Sequence, residues 1–185
     1  MAATDQELLR ATAGGDGAAF GRLVERHAQD LFRLAQWLAP NRADAEDVLQ
    51  ETLTGAFKAA RSFDGRSTVK TWITGIMIRQ AARQRRKYKN ARRVVSMHAD
   101  EGVRPAAGVD RPVASAVAAI DRRIDLAQVI DTLADEHREV ILLRETQGLS
   151  YDEIAAALGI PQGTVESRLY RARAALRKKL EGYVG

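Results

Sequence analysis

The stretch from Leu149 to Leu180 constrains the fold more than any other part of this sequence. Ser150 and Glu153 have the spacing of a capping box, which starts a helix, and Gly159 is the residue type that ends one with a positive φ angle. A second helix is predicted after Pro161, because apolar residues then recur at helical spacing. Those residues are Val165, Leu169, Ala172, Leu176 and Leu180. Two helices joined by a tight glycine turn predict a helix-turn-helix.

The opposite face of the second predicted helix is basic and polar. At about 100° per residue, Ser167, Tyr170, Arg171 and Lys178 point away from the apolar stripe, with Thr164 and Arg168 on its flank. Such side chains have the chemistry to read base edges and to hold phosphates. The alternative is an ordinary helical hairpin whose arginines form a solvated face. The agreement of cap, glycine turn and basic outer face favours DNA binding.

Composition indicates a water-soluble, all-α protein. The 185 residues suffice for one domain or two small ones. The sequence is rich in Ala, Leu and Arg and lacks the alternation of apolar and polar residues that is typical of β-strands. Cysteine is absent, which excludes disulfides and thiolate metal sites within these residues. No apolar run approaches the roughly 20 residues of a membrane span, and the first residues lack the apolar core of a signal peptide. We therefore expect a cytoplasmic protein without membrane insertion.

The charge is distributed unevenly. Residues 1–64 hold ten acids and seven Lys or Arg, whereas residues 65–99 hold ten Lys or Arg and no acid. A basic block of this kind predicts a polyanion as partner. A membrane surface is the competing target, but the helix that carries the block has a core-like apolar face, which favours nucleic acid.

Two helices are predicted before residue 41. Thr4 and Glu7 form a second capping box, for a short helix that ends at Gly14, and Asp16 can cap the next helix. The apolar stripe of that next helix comprises Phe20, Leu23, Val24, His27, Leu31, Leu34 and Leu38. We interpret His27 as a half-buried packing residue, since it lies on this stripe. His98 and His137 have no histidine or acid at metal-ligand spacing, so no metal site is predicted.

A third helix, predicted over residues 43–61, has an acidic outer side. Its predicted buried side comprises Val48, Leu49, Leu53, Ala56, Phe57 and Ala60, and its outer side begins with Asp44, Glu46, Asp47, Gln50 and Glu51. Acids in a first turn complement the helix dipole. They are also compatible with docking of a basic partner, and carboxylates at i and i+4, here Asp47 and Glu51, suit Mg²⁺ in a nuclease. The residues alone leave these three readings open.

The segment 62–67 is predicted as a loop, because Asp, Gly and Ser favour turns. Ser67 or Thr68 then caps a fourth helix, which buries Val69, Trp72, Ile73, Ile76 and Met77 and carries the basic block on its outer side. A loop beside a basic helix, with Phe63 and Trp72 on either side, suits unpaired nucleic acid, whose bases need a pocket and whose backbone needs cations. The alternative for Trp72 is a plain core position.

Periodicity is lost from about Val94, and Gly and Pro then accumulate. We predict a flexible linker over residues 94–118, between an N-terminal unit (1–93) and a C-terminal unit (119–185). The C-terminal unit is predicted as four helices: one through Ile124 to Leu133, one capped by Asp135 and ended by Gly148, and the helix-turn-helix.

Several motifs resemble those of the extracytoplasmic-function (group IV) sigma factors of bacterial RNA polymerase. They read DAEDVLQE from Asp44, FDGRS from Phe63, TWI from Thr71, LSYDEIA from Leu149 and GTVESRL from Gly163, followed by Arg171-Ala172-Arg173. The motifs lie in both units and in the family's order. The resemblance implies a factor that directs promoter recognition, opening of the −10 element and initiation, with no cofactor and no enzymatic activity of its own.

The resemblance also implies partners and site residues. Core RNA polymerase is expected at Asp47, Gln50 and Glu51, and an anti-sigma protein is a further expected partner. The single-stranded −10 element is expected at Phe63, Asp64, Gly65, Arg66, Ser67, Lys70, Arg79, Arg83 and Arg86. The duplex −35 element is expected at Thr164, Glu166, Ser167, Arg168, Tyr170 and Arg171.

Three positions depart from the family pattern. Relatives usually have Asn where Arg79 stands, a polar or basic residue where Gly75 stands, and often a base where Glu166 stands. These departures bear on which promoter sequence is preferred. Two other functions remain as rivals: a stand-alone helix-turn-helix regulator and a metal-dependent nuclease that uses the carboxylates near Asp47.

Overall fold

The computed structural model describes residues 3–98 and 126–184, and the regular structure in these ranges is helical throughout. The N-terminal part (3–98) comprises α1 (Asp5–Ala13), α2 (Gly17–Leu38), α3 (Arg42–Ala59), a 3₁₀ turn (Ala60–Ser62) and α4 (Val69–His98). The C-terminal part (126–184) comprises α5 (Leu126–Asp131), α6 (Asp135–Glu145), α7 (Tyr151–Leu158) and α8 (Gln162–Val184). The predicted all-α fold that ends in a helix-turn-helix is confirmed.

Local capping chemistry sets several helix boundaries as predicted. The Thr4 side chain accepts the Glu7 N–H at 3.3 Å, and a Glu7 carboxylate oxygen accepts the Thr4 N–H at 2.7 Å. Ser150 and Glu153 repeat this reciprocal pair at 3.2 and 2.9 Å. Gly159 ends α7 with a φ of 66°, in the left-handed region that glycine adopts without steric cost.

Other boundaries differ from the predictions. Helix α4 continues through residues 94–98, where the linker was predicted to begin, because no Gly or Pro interrupts the chain before Gly102. The rest of the predicted linker lies outside the described residues. The prediction that Asp135 caps α6 is wrong: Ala134 occupies the cap position. The Asp135 carboxylate instead accepts a hydrogen bond from Arg85 at 2.7 Å, so a tertiary ion pair takes the place of a local cap.

The core of the N-terminal part forms between α2, α3 and α4. Leu23, Leu31 and Leu34 of α2 are fully buried, as the stripe predicts. The prediction of a buried Phe57 is wrong, since the side chain is 44% exposed and packs edge to face against Phe20 with ring centroids 5.3 Å apart. Thr52 occupies the buried position instead, because its hydroxyl donates to the Val48 carbonyl of its own helix.

Two polar residues make contacts between helices that the sequence pattern did not indicate. Asp44, predicted on the outer side of α3, is buried, because its carboxylate accepts hydrogen bonds from Asn41 and from the Tyr88 hydroxyl of α4. His27 is half-buried as predicted, and its Nε2 lies 2.6 Å from an Asp5 carboxylate oxygen. Both side chains join neighbouring helices within the N-terminal part.

The C-terminal part is in direct contact with the N-terminal part. Its own core includes Leu142, Leu143, Ile154, Val165 and Leu169, all at most 1% exposed. Helix α7 also packs on the first half of α4, which buries a second face of α4 that the sequence pattern did not single out. That second face carries Thr71, Gly75 and Ile78.

Candidate nucleic-acid interface

The loop before α4 is an exposed, internally hydrogen-bonded turn. Gly65 has a φ of 75°, which permits the reversal of the chain. The Asp64 carboxylate accepts the backbone N–H of Arg66 at 3.1 Å and also pairs with the Arg66 guanidinium. Hydrogen bonds from Arg66 lower the pKa of the Asp64 carboxyl group. The loop therefore presents Arg66, with 88% of its side chain exposed, in a preformed turn.

An aromatic pair anchors this loop to α4. The rings of Phe63 and Trp72 meet edge to face, with centroids 5.5 Å apart and an interplanar angle of 61°. Both residues are half-buried, so Trp72 is partly a core residue and partly a support for the loop. The contact between the two rings fixes the start of the loop against α4, and the backbone of the loop beyond Phe63 stays exposed.

Helix α1 adds residues to this site that the sequence analysis missed. A cavity of about 260 Å³ lies between α1 and the loop, with Gln6 and Arg10 on one side and Phe63 and Asp64 on the other. Arg61 ties the two elements together, because its Nε donates to the Ala13 carbonyl at 2.9 Å. The signal that could have indicated these residues is their helical spacing, since positions 6, 10 and 13 share one face of α1.

The exposed side of α4 carries Arg79, Arg83 and Arg86. Lys70, the first base of this helix, is partly neutralised by Asp30 of α2 at 2.9 Å. Its hydrogen bond is the main reason that the pKa of the Asp30 carboxyl group is lowered. Within the described residues, no hydrogen bond or ion pair engages the side chains of Arg79, Arg83 and Arg86, although the charge of Arg86 acts on the Glu139 carboxyl group.

The acidic side of α3 is exposed at the residues predicted for docking. Asp47, Gln50 and Glu51 are exposed, and within the described ranges no hydrogen bond or ion pair engages their side chains. Glu46 is paired with Arg42 at 2.9 Å. In the part of the chain that the structure describes, no group of three or more His, Asp or Glu side chains is arranged to hold a metal ion.

Helix α8 presents most of the predicted reading residues to solvent. Glu166, Ser167, Tyr170 and Arg171 are exposed, with Tyr170 at 76%, whereas Thr164 is half-buried. Arg168 differs from this group, because its guanidinium lies 3.0 Å from Glu136 of α6 and its side chain is only 24% exposed.

A groove beside these residues extends the same surface. It has a volume of about 310 Å³, and its lining includes Tyr151, Tyr170, Arg173 and Arg177. Hydrogen bonds to Glu145 and Tyr151 raise the pKa of Arg173, so this cation is held in place at the mouth of the groove. The sequence analysis did not propose Tyr151 or Arg177 as site residues.

The described helices include none that is both long enough and apolar enough to cross a bilayer. The exposed charged surfaces described above lie on three different elements: the acidic side of α3, the loop with the basic side of α4, and the outer face of α8.

Comparisons with known proteins agree on one family. The sequence matches the family described as Sigma-70 region 2 over residues 23–91 and the family described as Sigma-70, region 4 over residues 123–176. It is 32% identical over 183 residues to the ECF RNA polymerase sigma factor SigM of Mycobacterium tuberculosis, covering 98% of this chain and 86% of SigM. It is 33% identical over 183 residues to the ECF RNA polymerase sigma-E factor of Escherichia coli K12, covering 96% and 95%.

Solved structures give the same result. CnrH, solved in complex with the cytosolic domain of CnrY, is 28% identical with a TM-score of 0.70, covering 96% of this chain and 97% of CnrH. The sigma factor RpoE of Bartonella quintana, solved in complex with the anti-sigma factor NepR, is 27% identical with a TM-score of 0.68, covering 88% and 96%. This chain belongs to the ECF RNA polymerase sigma factors, the alternative sigma factors that direct promoter recognition by RNA polymerase.

Proposed function

We propose that this sigma factor contacts core RNA polymerase through α3, the unpaired −10 element through the loop and α4, and the duplex −35 element through α8. The observation that carries this proposal is the separation of charge: the exposed acids of α3 lie on a different element from both exposed basic surfaces. A partner protein and a nucleic acid therefore have distinct surfaces of matching sign.

The docking surface consists of Asp47, Gln50 and Glu51. These side chains are exposed and unengaged within the described ranges, so binding a basic polymerase surface requires no internal ion pair to break. Glu46, paired with Arg42, is less available. In the described residues, Asp47 and Glu51 belong to no group of three or more His, Asp or Glu side chains that could hold a metal ion. The described residues therefore give no support to a metal-dependent nuclease.

The −10 surface combines a turn, a cavity and a row of cations. Phe63, Asp64, Gly65, Arg66 and Ser67 form the turn, and the cavity next to it suits an extruded base. Lys70, Arg79, Arg83 and Arg86 would follow the phosphates of the unpaired strand. Capture of the extruded base offsets the cost of unstacking, which is a few kcal/mol per step.

The −35 surface is the outer face of α8. Arg171 and Ser167 would reach base edges in the major groove, and Tyr170, Thr164 and Arg168 would hold or flank the backbone. Glu166 would accept a hydrogen bond from a cytosine amino group. Since Arg168 is paired with Glu136, its contribution requires exchange of that partner for a phosphate.

Further parts of the proposal concern the chain as a whole. It acts by binding, without covalent chemistry or a cofactor, and in the cytoplasm beside RNA polymerase. The family matches over 23–91 and 123–176 support a division into units 1–93 and 119–185 with a linker over 94–118. The two similar solved sigma factors, each bound to a partner protein, support an anti-sigma protein as regulator of this chain.

Charge reversal on α3 tests the docking assignment. Asp47→Lys combined with Glu51→Lys should abolish co-elution with core RNA polymerase on size exclusion, because both carboxylates would face a basic surface with the wrong sign. The matched control is Glu25→Lys with Glu181→Lys, which makes the same change of net charge at exposed acids elsewhere. Retained binding by the first pair, or equal loss in both pairs, would contradict the assignment.

Transcription tests the function directly. Core polymerase supplied with this chain and a library of random promoters should yield transcripts enriched in two short elements, one near −10 and one near −35. Initiation no better than with core polymerase alone would refute the proposed function.

A further inference from the structure

We infer that α1 supplies one wall of a nucleotide-binding site: the cavity between α1 and the loop takes one unpaired nucleotide, whose base is read by Gln6 and whose phosphate is held by Arg10 and Arg61. The inference deepens the proposed contact with the −10 element and rests on it. It adds a helix that lies outside the match to Sigma-70 region 2, which begins at residue 23.

The cavity has an apolar floor and a polar rim. Leu9 of α1 and Ala60 of the 3₁₀ turn are only 1% and 5% exposed, and the half-buried Phe63 adds an aromatic surface. The rim is formed by exposed polar side chains, namely Gln6, Arg10, Arg61 and Asp64. A nucleotide has the same division, because its base has apolar faces and its phosphate is charged. The volume of about 260 Å³ is near the lower limit of small-ligand pockets, about 300 Å³, so a single nucleotide is the size of ligand to expect.

Helix α1 is fixed at both ends, so it can serve as a wall. At its start, the Asp5 carboxylate contacts the Arg26 guanidinium at 2.8 Å and Nε2 of His27 at 2.6 Å, both on α2. At its end, the Ala13 carbonyl accepts the hydrogen bond from Nε of Arg61 at 2.9 Å. The side chains of α1 therefore face the cavity from a rigid element, as specific recognition requires.

Two guanidinium groups line the cavity with unused hydrogen-bond donors. Within the described residues, no hydrogen bond or ion pair engages Arg10, although its charge acts on the Glu7 carboxyl group. Arg61 uses Nε for its bond to α1, which leaves the donors of its two terminal nitrogens. Guanidinium groups bind phosphate through paired hydrogen bonds. Arginines on two elements, α1 and the 3₁₀ turn, can thus hold one backbone phosphate from two sides.

Gln6 and Asp64 set the preference for the base. A glutamine carboxamide both donates and accepts, and it pairs with adenine, whereas a carboxylate accepts from the cytosine amino group. Hydrogen bonds from Arg66 lower the pKa of the Asp64 carboxyl group, so it is ionised at neutral pH. Adenine and cytosine carry an amino group where guanine and thymine carry a carbonyl oxygen, which a carboxylate repels. We therefore expect the site to take adenine or cytosine.

Cross-linking tests where the unpaired strand lies. Because the chain has no cysteine, Gln6→Cys can carry a photoactivated aryl azide at a single position. The matched control is Gln29→Cys, at an exposed glutamine of α2. In the complex of the full chain with core RNA polymerase and a promoter whose −10 element is an unpaired bubble, Gln6→Cys should cross-link to one nucleotide of the bubble and Gln29→Cys to none. Equal DNA cross-linking from both sites, or none from Gln6→Cys, overturns the inference.

An abasic site at the cross-linked nucleotide tests base reading. Gln6→Ala should weaken binding of the complex to the intact bubble by about tenfold, and binding to the abasic bubble by less than about twofold, because its partner is already absent. Gln29→Ala should change neither affinity. Equal weakening of both bubbles by Gln6→Ala would overturn base reading by this residue.

The salt dependence of binding tests the phosphate contact. Arg10→Ala should weaken binding alike for every base, and it should reduce the slope of log K against log salt concentration by about 0.7, the value for one phosphate contact to a single strand. Arg22→Ala, at an exposed arginine of α2, is the control and should leave the slope unchanged. An unchanged slope in Arg10→Ala overturns the phosphate contact. Gln6 and Arg10 are both exposed, so neither variant removes a core contact.

The wild-type complex separates failure of this inference from failure of the proposed function. If it distinguishes bases in the bubble while Gln6→Ala and Arg10→Ala behave as wild type, the −10 contact stands and α1 has no part in it. If the wild-type complex distinguishes no base in the bubble, the proposed −10 contact is refuted and the inference with it.

Discussion

Glu139 shows how a single residue responds to the packing of the two parts. Burial raises the pKa of its carboxyl group, and the nearby Asp135 carboxylate adds to this rise. Arg85, Arg86 and Arg168 oppose the rise but do not cancel it. The charged form of Glu139 is therefore less favourable in the folded chain than in the unfolded chain.

Replacing Glu139 with Gln should stabilise the fold at neutral pH. Because the folded pKa is raised, the penalty on the charged carboxylate is present at pH 7 and disappears as the pH falls below the unfolded value of about 4.3. The gain in the free energy of unfolding over wild type should thus shrink between pH 7 and pH 4, measured by urea denaturation. Glu25→Gln, at an exposed site, is the control and should change the free energy of unfolding at pH 7 by less than about 0.5 kcal/mol.

Arg171 is the residue with which to test base reading by α8. If it makes a bidentate contact to guanine, Arg171→Ala should cost about 1–3 kcal/mol, and only at promoters with that base pair. Binding of the polymerase holoenzyme to a set of promoters with single substitutions in the −35 element measures this. Equal weakening on every promoter would instead identify Arg171 as a phosphate contact.

At the scale of elements, α8, the helix that we propose to bind the −35 element, depends on the short helix before it. Helix α7 has only eight residues, and its start is stabilised by the reciprocal hydrogen bonds of Ser150 and Glu153. A helix of this length is marginal in isolation. Its cap and its packing therefore decide how firmly α7 supports α8.

Removing the cap should loosen this element measurably. Ser150→Ala should lower the free energy of unfolding by about 1 kcal/mol, because the Glu153 N–H loses its acceptor. Chemical denaturation followed by circular dichroism checks this value. Ser167→Ala, at an exposed serine inside α8, is the matched control and should change stability by less than about 0.5 kcal/mol. A loss no greater than that of the control would contradict the role of the cap.

At the scale of the whole molecule, the two surfaces that we propose to bind DNA would act through a common support, the polymerase. Each surface alone offers few cations, and some of these are paired internally, as Lys70 is with Asp30 and Arg168 with Glu136. If both surfaces bind DNA as proposed, holding them on one polymerase would raise their effective concentration at a promoter, so that weak single contacts would suffice. The free chain lacks that support.

The isolated protein should therefore bind promoter DNA poorly. Fluorescence anisotropy with a labelled duplex at near-physiological salt should show little binding until core polymerase is added. The control for non-specific association repeats the measurement, with this protein and core polymerase, on a labelled duplex whose promoter sequence is scrambled. Tight binding by the chain alone would favour a stand-alone helix-turn-helix regulator over the division of labour described here.

Much of the fold was predictable because its signals are local. Several helix ends are set by a residue whose partners lie within a few positions in the sequence, so these ends can be predicted from the sequence. The residues are Thr4, Asp16, Ser150 and Gly159. The apolar stripes of α2 and α8 likewise reflect a single helical period. The predicted family followed from motifs of the same local kind, and the comparisons confirm it. The assigned site residues stay predictions.

The sequence by itself determined which segments are helices, where most of them begin and end, and which faces are charged, because each depends on residues close together along the chain. The tertiary structure alone decided that Asp44 is buried, that Phe57 is exposed and that Asp135 pairs with Arg85 instead of capping α6. It also decided that Gly75 meets Ala157. Each of these results depends on a contact between residues far apart in the sequence. Such contacts are set by how the helices pack, and the helical periodicity of a single segment does not predict that packing.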